Sequence, residues 1–359
     1  MSLIVVDMVG PATSVQDAGR SGAQRYGLTT SGAMDRVSLA IANALVGQPC
    51  GAAAIEIGPL GAAFTARKGS VHVSLAGADR VANLGGRAAW INETAVMAQG
   101  ETLVLSPARS GVFSYLGIEG GIAGEPVYGS LSVSARAGLG SPYPRPLRPG
   151  DELEVGTIKE AASARRFKPL LMSREPIRVV LGPQDDHMTP EAVALFLETE
   201  WRVSPKSDRM GYRLEGPKLA HADGYNIVSD GTVPGSIQIT GNGQPLALLA
   251  ERGTTGGYPK IATIITADLP RFAQTQAGGR VRFVSISMEE AQREARGFAA
   301  MLAHVRERVE TLVRGIRSRE SRADLAAAAM SRRDQPGWQD RIAVDDQSRE
   351  VTDAGRFEL

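Results

Sequence analysis

The chain has 359 residues, 43% of them hydrophobic and 22% charged, with a formal net charge of +1. Such a length and mix describe a globular chain of one large or two ordinary domains, and the near-neutral charge leaves no bulk field to draw it to nucleic acid or a membrane surface. The lone cysteine, Cys50, excludes an internal disulfide and a cysteine-based metal cluster, and reads as a packed thiol. The apolar start at Leu3 to Val6 is too short for a signal peptide, and no apolar run is long enough to span a bilayer. A cytoplasmic protein is the expectation. Forty-one glycines set among short Val/Ile/Leu runs point to strands and tight turns.

Leu3 to Val9 reads as the first strand. A glycine-rich loop follows, and its Asp17 and Arg20 read equally as a local ion pair or as substrate contacts. The loop runs on through Ser31 to Asp35, a good N-cap for a helix from Arg36 to Val46. Capping accounts for Asp35 without catalysis. Val37, Ala40, Ile41, Ala44 and Leu45 form the helix's apolar stripe, and Gly47 is placed to end it. Strands are expected at Ala53 to Ile57, Val71 to Leu75, Ala88 to Ile91, Thr102 to Leu105 and Ser114 to Ile122. Glu56 lies inside an apolar run, so it is either paired with an arginine or poised for chemistry. A Pro149-Gly150 turn leads into a short strand, and Ala161 to Ser173 reads as a linker.

A second unit starts with a strand at Ile177. Thr189 should cap a helix with Pro190 in its first turn, running to about Glu200. Asp208 and Arg209 precede a further strand. Ser236 to Thr240 alternates polar and apolar residues, the period of a half-buried strand, and Gly241-Asn242-Gly243 reverses the chain. The apolar run Leu246 to Ala250 then ends in Glu251, Arg252 and the loop Thr254-Thr255-Gly256-Gly257-Tyr258-Pro259. One reading makes Gln238, Thr240 and that loop a polar pocket wall; the other makes them an exposed strand side and an ordinary turn.

The turn at Gly278-Gly279 resembles that at Gly150, a hint that one β-rich unit occurs twice. Ser287 to Glu290 is a capping box for a long helix. Ala291, Ala295, Phe298, Leu302, Val305, Val309, Leu312 and Ile316 would form its seam, facing either a partner or the chain's own body. Residues beyond Arg332 are polar and read as disordered.

No P-loop, H-E-x-x-H or G-x-S-x-G pattern is present, and His72, His187, His221 and His304 are scattered. What remains are acids, arginines, Gln, Thr and glycine loops. That inventory suits recognition of a carboxylate, amide or phosphoryl group through hydrogen bonds.

Five segments occur in order: Ser-Val-Gln-Asp-Ala-Gly-Arg (14–20), Ser-Gly-Ala-Met-Asp (31–35), Ser-Asp-Arg-Met-Gly-Tyr-Arg-Leu (207–214), Gly-Ser-Ile-Gln (235–238) and Leu-Leu-Ala-Glu-Arg-Gly-Thr-Thr-Gly-Gly-Tyr-Pro (248–259). Together they resemble the biotin-dependent carboxyltransferase-like family. That family is also called allophanate hydrolase subunit 2, the KipI antagonist KipA, or the 5-oxoprolinase C subunit. The resemblance covers about residues 3 to 290. It departs from the family pattern at Glu251, where Asp is usual, and at Gly253, where Gln is usual.

The resemblance implies a mainly β fold with a few helices. Two cyclophilin-like β-barrel subdomains, residues 1–160 and 174–290, would precede a C-terminal helical extension over 287–331 and a tail over 332–359. It implies KipI-like B and LamB/YcsF-like A subunits as partners, and ATP shared with a partner, for opening 5-oxoproline to glutamate. A carboxyltransferase acting on urea or another amide, with biotin carried by another chain, is the alternative enzyme; a non-catalytic KipA-type regulator is the third reading. Catalytic candidates are Asp35, Arg209, Gln238, Glu251, Thr254 and Thr255. Arg209 would hold a carboxylate or phosphoryl group, Gln238 would orient the amide, and Asp35 or Glu251 would relay protons. Asp17, Arg20, Ser31, Gly256, Gly257 and Tyr258 are the substrate-binding candidates. All are expected to converge on one cavity.

Overall fold

The computed structural model describes residues 2–156, 164–168 and 175–312. The fold is mainly β, with four α-helices among the described residues. In the first half, one six-stranded sheet runs in the order Glu152–Glu154, Leu3–Val9, Ala62–Lys68, Thr102–Leu105, Ala82–Leu84, Arg87–Ala89. A second, seven-stranded sheet runs Ser14–Gln16, Ala54–Ile57, Ser110–Ile118, Val71–Asp79, Glu93–Met97, Arg165–Phe167, Val309–Thr311. Both sheets turn apolar residues onto one core that includes Ile4, Val6, Ile55, Phe64, Leu116 and Leu153.

The second half is built on an eight-stranded sheet in the order Arg280–Val281, Trp201–Val203, Gly211–Glu215, Pro245–Leu248, Ser236–Ile239, Lys260–Ile264, Ile177–Leu181, Phe283–Ser285, with a two-stranded ribbon beside it. Its two edge strands are consecutive pieces of chain separated only by Arg282. One short segment therefore pairs with Trp201 at one end and Ile177 at the other. The sheet almost closes on itself, which removes most of its exposed edge. The second half thus forms a nearly closed barrel, whereas the first is two sheets around one core, and in each a late strand pairs with the first. That pairing is antiparallel in the first half, Leu3 opposite Glu154, and parallel in the second, Ile177 opposite Phe283.

The helices begin where local chemistry dictates. Helix α1, Arg36–Leu45, is capped by the Asp35 carboxylate, which accepts from the backbone N–H groups of Val37 (2.9 Å) and Ser38 (3.0 Å). Every residue from Ser38 to Leu45 is buried. The reason is position: α1 packs against Ser110–Ile118 and Val71–Asp79 and is covered by the turn Val305–Arg308. Helix α2, Pro190–Glu198, is capped by Thr189, and α3 is the short Leu269–Ala273. Helix α4, Met288–Ala303, opens with the expected capping box between Ser287 and Glu290.

Four expectations change. The seam does not run on as one helix: α4 stops at Ala303, Val305 is buried in the core, and Val309–Thr311 pairs with Arg165–Phe167. Strand pairing and burial override a pattern that had no breaker in it. Ile316 and the tail lie outside the described residues. The same pairing makes Arg165–Phe167 a strand rather than linker, because Phe167 is buried; the rest of that segment is outside the described residues except Ala164 and Lys168. Ser236–Ile239 is buried on both faces, not one, and ends before Thr240. Ala62–Lys68 and Glu93–Met97 are strands that the sequence pattern did not announce. No helix among the described residues is long and apolar enough to cross a membrane.

Candidate functional site

The junction between the halves is organised by Glu56. It sits in Ala54–Ile57, which is paired on both sides, and its carboxylate has no exposure. Tyr115 lies directly opposite on the neighbouring strand, so its hydroxyl donates to Glu56 Oε2 at 2.7 Å. The same hydroxyl accepts from the Asp35 backbone N–H at 2.8 Å, and Met34 N–H donates to Glu56 Oε2 at 2.8 Å. From the second half, Arg209 Nη1 donates to Glu56 Oε1. Its Nε donates to Glu251 Oε1 at 2.8 Å and its Nη2 to the Gly32 carbonyl at 2.9 Å. Of the two readings of Glu56, pairing with an arginine is the one found.

Burial opposes charge on both partners. It pushes the Glu56 carboxyl up against the pull of Arg209. It also disfavours the Arg209 guanidinium, but Glu56 and Glu251 outweigh it and hold Arg209 above its ordinary value. Burial, then the charges of Glu56 and Asp35, push the Tyr115 phenol well up, so it stays a neutral donor.

Asp35 is equally committed. Beyond the helix cap, its Oδ2 accepts from Ser38 Oγ at 2.6 Å and from Gln274 Nε2 at 2.8 Å. Gln274 in turn accepts from the backbone of Val112 and Phe113 and donates to the Phe113 carbonyl. Burial pushes the Asp35 carboxyl up, and these hydrogen bonds oppose it. Gln274 and Tyr115 were not among the expected site residues. The sequence signal for Tyr115 was its register opposite Glu56, which only pairing reveals.

Beside this network lies a cavity of about 880 Å³ whose wall draws on both halves and on α4. Arg20 and Ser31 line it, with Met34, Leu249, Ile264 and Phe298 among its apolar walls. The backbones of Gly19 and Gly32 meet so closely that a Cβ on either would fall 2.8 Å from a backbone atom of the other strand of the loop. This contact, with Arg20 N–H donating to the Thr30 carbonyl at 2.8 Å, pins the loop around Arg20. Arg20 is only 1% exposed, and Nη2 donates to the Ser132 carbonyl. Its Nε and Nη1 have no hydrogen-bond partner, nor does the buried Ser31 Oγ. Burial pushes the Arg20 guanidinium down, while Asp17 and Glu251 pull the other way. Asp17 is not a direct partner of Arg20: its carboxylate accepts from Gly19 N–H, Leu131 N–H, Ser130 Oγ and Ser132 Oγ.

The remaining candidates form a second group. Gln238 Nε2 donates to the Tyr258 carbonyl at 3.3 Å and packs against Gly256. Thr255 and Gly256 pair with Gly231 and Asp230 in a two-stranded ribbon, and Gly257 accepts at its carbonyl from Ile227 N–H. The Thr254 carbonyl accepts from Thr232 N–H at 3.1 Å. Gln238 and Thr254 to Tyr258 are absent from the wall of the junction cavity. The candidates therefore do not converge on one cavity: Arg20 and Ser31 line it, Asp35, Arg209 and Glu251 brace it, and the Gln238 group is a separate cluster. The reason is local: the ribbon with Asp230 and Gly231 holds the Thr-Thr-Gly-Gly loop to its own half.

Residues 26–285 match the carboxyltransferase domain, subdomains A and B. The chain is 37% identical over 290 residues to the 5-oxoprolinase C subunit of Escherichia coli K12, covering 80% of this chain and 93% of that protein. It is 31% identical over 306 residues to the 5-oxoprolinase C subunit of Haemophilus influenzae, covering 85% and 98%. The crystal structure of the Kluyveromyces lactis urea carboxylase superposes with a TM-score of 0.75 at 26% identity, over 85% of this chain but only 29% of that one. The matched span holds Asp35, Glu56, Tyr115, Arg209, Glu251 and Gln274, the residues that join the two halves, and the chain belongs to the carboxyltransferase-domain family.

Proposed function

We propose that this chain is the C subunit of a cytoplasmic, ATP-dependent 5-oxoprolinase, which opens the lactam of 5-oxoproline to L-glutamate. The observation that carries this reading is correspondence in length together with identity. The chain spans 93% of the Escherichia coli 5-oxoprolinase C subunit, whereas it spans only 29% of the solved urea carboxylase. In this reading KipI-like B and LamB/YcsF-like A subunits complete the enzyme.

Ring opening develops negative charge on the lactam oxygen and needs a polar, water-shielded site. The junction cavity offers a small lactam apolar walls together with polar lining residues that include Arg20, Thr30, Arg36, Thr263 and Gln292. Asp35, bonded through both carboxylate oxygens, and Arg209, with each nitrogen engaged, brace that wall as positioning residues, and Glu251 is tied to Arg209 through Oε1. The nucleotide would be held with a partner chain and would supply the free energy for opening an unstrained ring.

The test is to co-purify the chain with its B and A partners and measure 5-oxoproline-dependent ATP hydrolysis. Turnover of 5-oxoproline supports the reading. Turnover of urea with carboxybiotin instead would replace it with the carboxyltransferase, and partner binding without either turnover would replace it with a regulator.

A further inference from the structure

We propose that α4 is the specificity wall of the junction cavity and that Gln292 on it reads the amide of the substrate. Helix α4 lies wholly beyond the matched span 26–285, yet Met288, Ala291, Gln292, Ala295 and Phe298 all line the cavity. These positions follow the three-and-four spacing of one helix face. Ala291, Ala295 and Phe298 are only half-buried, and no residue of α4 is buried. That is the burial expected of an apolar stripe that faces a cavity rather than packed side chains. The helix is nonetheless held in place. Glu294 pairs with Arg178 Nη1 at 2.9 Å and the capping box fixes the start of the helix. Beyond its end, Val305 is buried and Val309–Thr311 joins a sheet.

Gln292 is singled out by its chemistry. It is exposed, so a ligand can reach its side chain. It is the one carboxamide among the described residues of the lining, and that group has no hydrogen-bond partner among the described residues. An amide in a small ring is fixed cis, with its N–H and C=O at the same edge. A carboxamide carries an acceptor oxygen and a donor NH2 side by side on one planar group, the complement of that edge. The other polar lining groups do not match it: Arg20 and Arg36 only donate, and a serine or threonine hydroxyl meets a ligand through a single atom. Gln238, the glutamine expected to orient the amide, is engaged by the Tyr258 carbonyl and absent from this wall. Ala291 and Ala295, one turn apart, keep the helix surface beside Gln292 free of bulk. An element outside the shared domain can differ between members without disturbing the domain, which suits a device for choosing a substrate. That the amide is a lactam rests on the function proposed above; the placement of Gln292 in the cavity wall does not.

The test uses the chain assembled with its B and A partners. KM and kcat are measured for 5-oxoproline, and an inhibition constant for its lactone counterpart, in which oxygen replaces the ring N–H. Gln292→Leu should raise KM for 5-oxoproline about tenfold with kcat held within about twofold, because the contact is made in the ground state as well as the transition state. The lactone offers only one of the two hydrogen bonds and should lose less, so the preference for lactam over lactone shrinks; a merely structural role would weaken both alike. Ala295→Trp should also raise KM about tenfold, whereas Gly297→Ala, whose Cβ would meet open space, should leave it unchanged. An unchanged KM in either Gln292→Leu or Ala295→Trp, or equal losses for lactam and lactone, overturns the proposal and leaves the 5-oxoprolinase reading standing. Turnover of urea with carboxybiotin in place of 5-oxoproline removes that reading; a raised KM for urea in Gln292→Leu then keeps the proposal, and an unchanged one overturns it. Absence of both turnovers overturns both.

Discussion

Two arginines separate the two kinds of work done at the junction. Arg209 is buried among Glu56, Glu251 and the Gly32 carbonyl, and each of its nitrogens has a partner. Arg20 is less exposed still, yet two of its nitrogens have none. A guanidinium with every nitrogen engaged, two of them by first-half residues, fixes one half of the molecule against the other. One with unpaired buried nitrogens carries a desolvation cost that no bond returns. The difference teaches that burial and charge alone do not say what an arginine contributes; the state of its hydrogen bonds does. Arg80 makes the same point from the structural side, since it is buried without a carboxylate but is satisfied by Ser114 Oγ and the carbonyls of Gly58, Leu60 and Ser106.

Substitutions can break or sharpen this contrast. Glu56→Leu removes the charge that saturates Arg209 and should cost about 3–5 kcal/mol in urea unfolding. A loss below about 1 kcal/mol would mean that the pair is not what joins the halves. Tyr115→Phe deletes the hydroxyl between Glu56 and the Asp35 N–H, and a loss of about 1–3 kcal/mol is expected from the donor left unpaired.

Asp268, which is not part of the cavity lining, offers a carboxylate bonded to Arg178 Nη2 at 2.7 Å and Arg271 Nη2 at 3.0 Å. Burial would push its carboxyl up, but the arginines outweigh that and hold it below its ordinary 3.8. A depressed folded-state value gives stability that is present above the unfolded value and lost as pH falls through the folded one. Asp268→Asn should therefore lower Tm at pH 7, by the equivalent of about 1–2 kcal/mol. The gap from wild type should close as pH drops below about 4. A gap that widens in acid would reverse the sign of this assignment.

Arg252 tests the unsaturated class a second time. Its Nε and Nη1 are unpaired, and burial pushes its guanidinium down to about 10. Arg252→Met should change stability by less than about 1 kcal/mol, because little bonding is lost and an apolar stem is kept.

Signals that act within a few residues were legible in the sequence. Asp35, Thr189 and the Ser287–Glu290 box open their helices as expected, because an N-cap is a contact between near neighbours. Glu56 was legible in kind, since a buried carboxylate needs a cation, but not its partner, which lies 153 residues away. The end of α4 was hidden for the same reason: Val309–Thr311 leaves the helical pattern to pair with a strand from residues 165–167. The Thr254–Tyr258 loop was legible as polar and glycine-rich, but its ribbon partner at Asp230–Gly231 was not. Distant pairing, not propensity, decided which polar groups were used up and which were left over.

The most direct test is urea unfolding of Arg209→Met and Arg20→Met side by side. Arg209→Met should lose about 3–5 kcal/mol by stranding Glu56, and Arg20→Met less than about 1 kcal/mol. Equal losses, or a larger loss at Arg20, would contradict the division of labour between the two arginines.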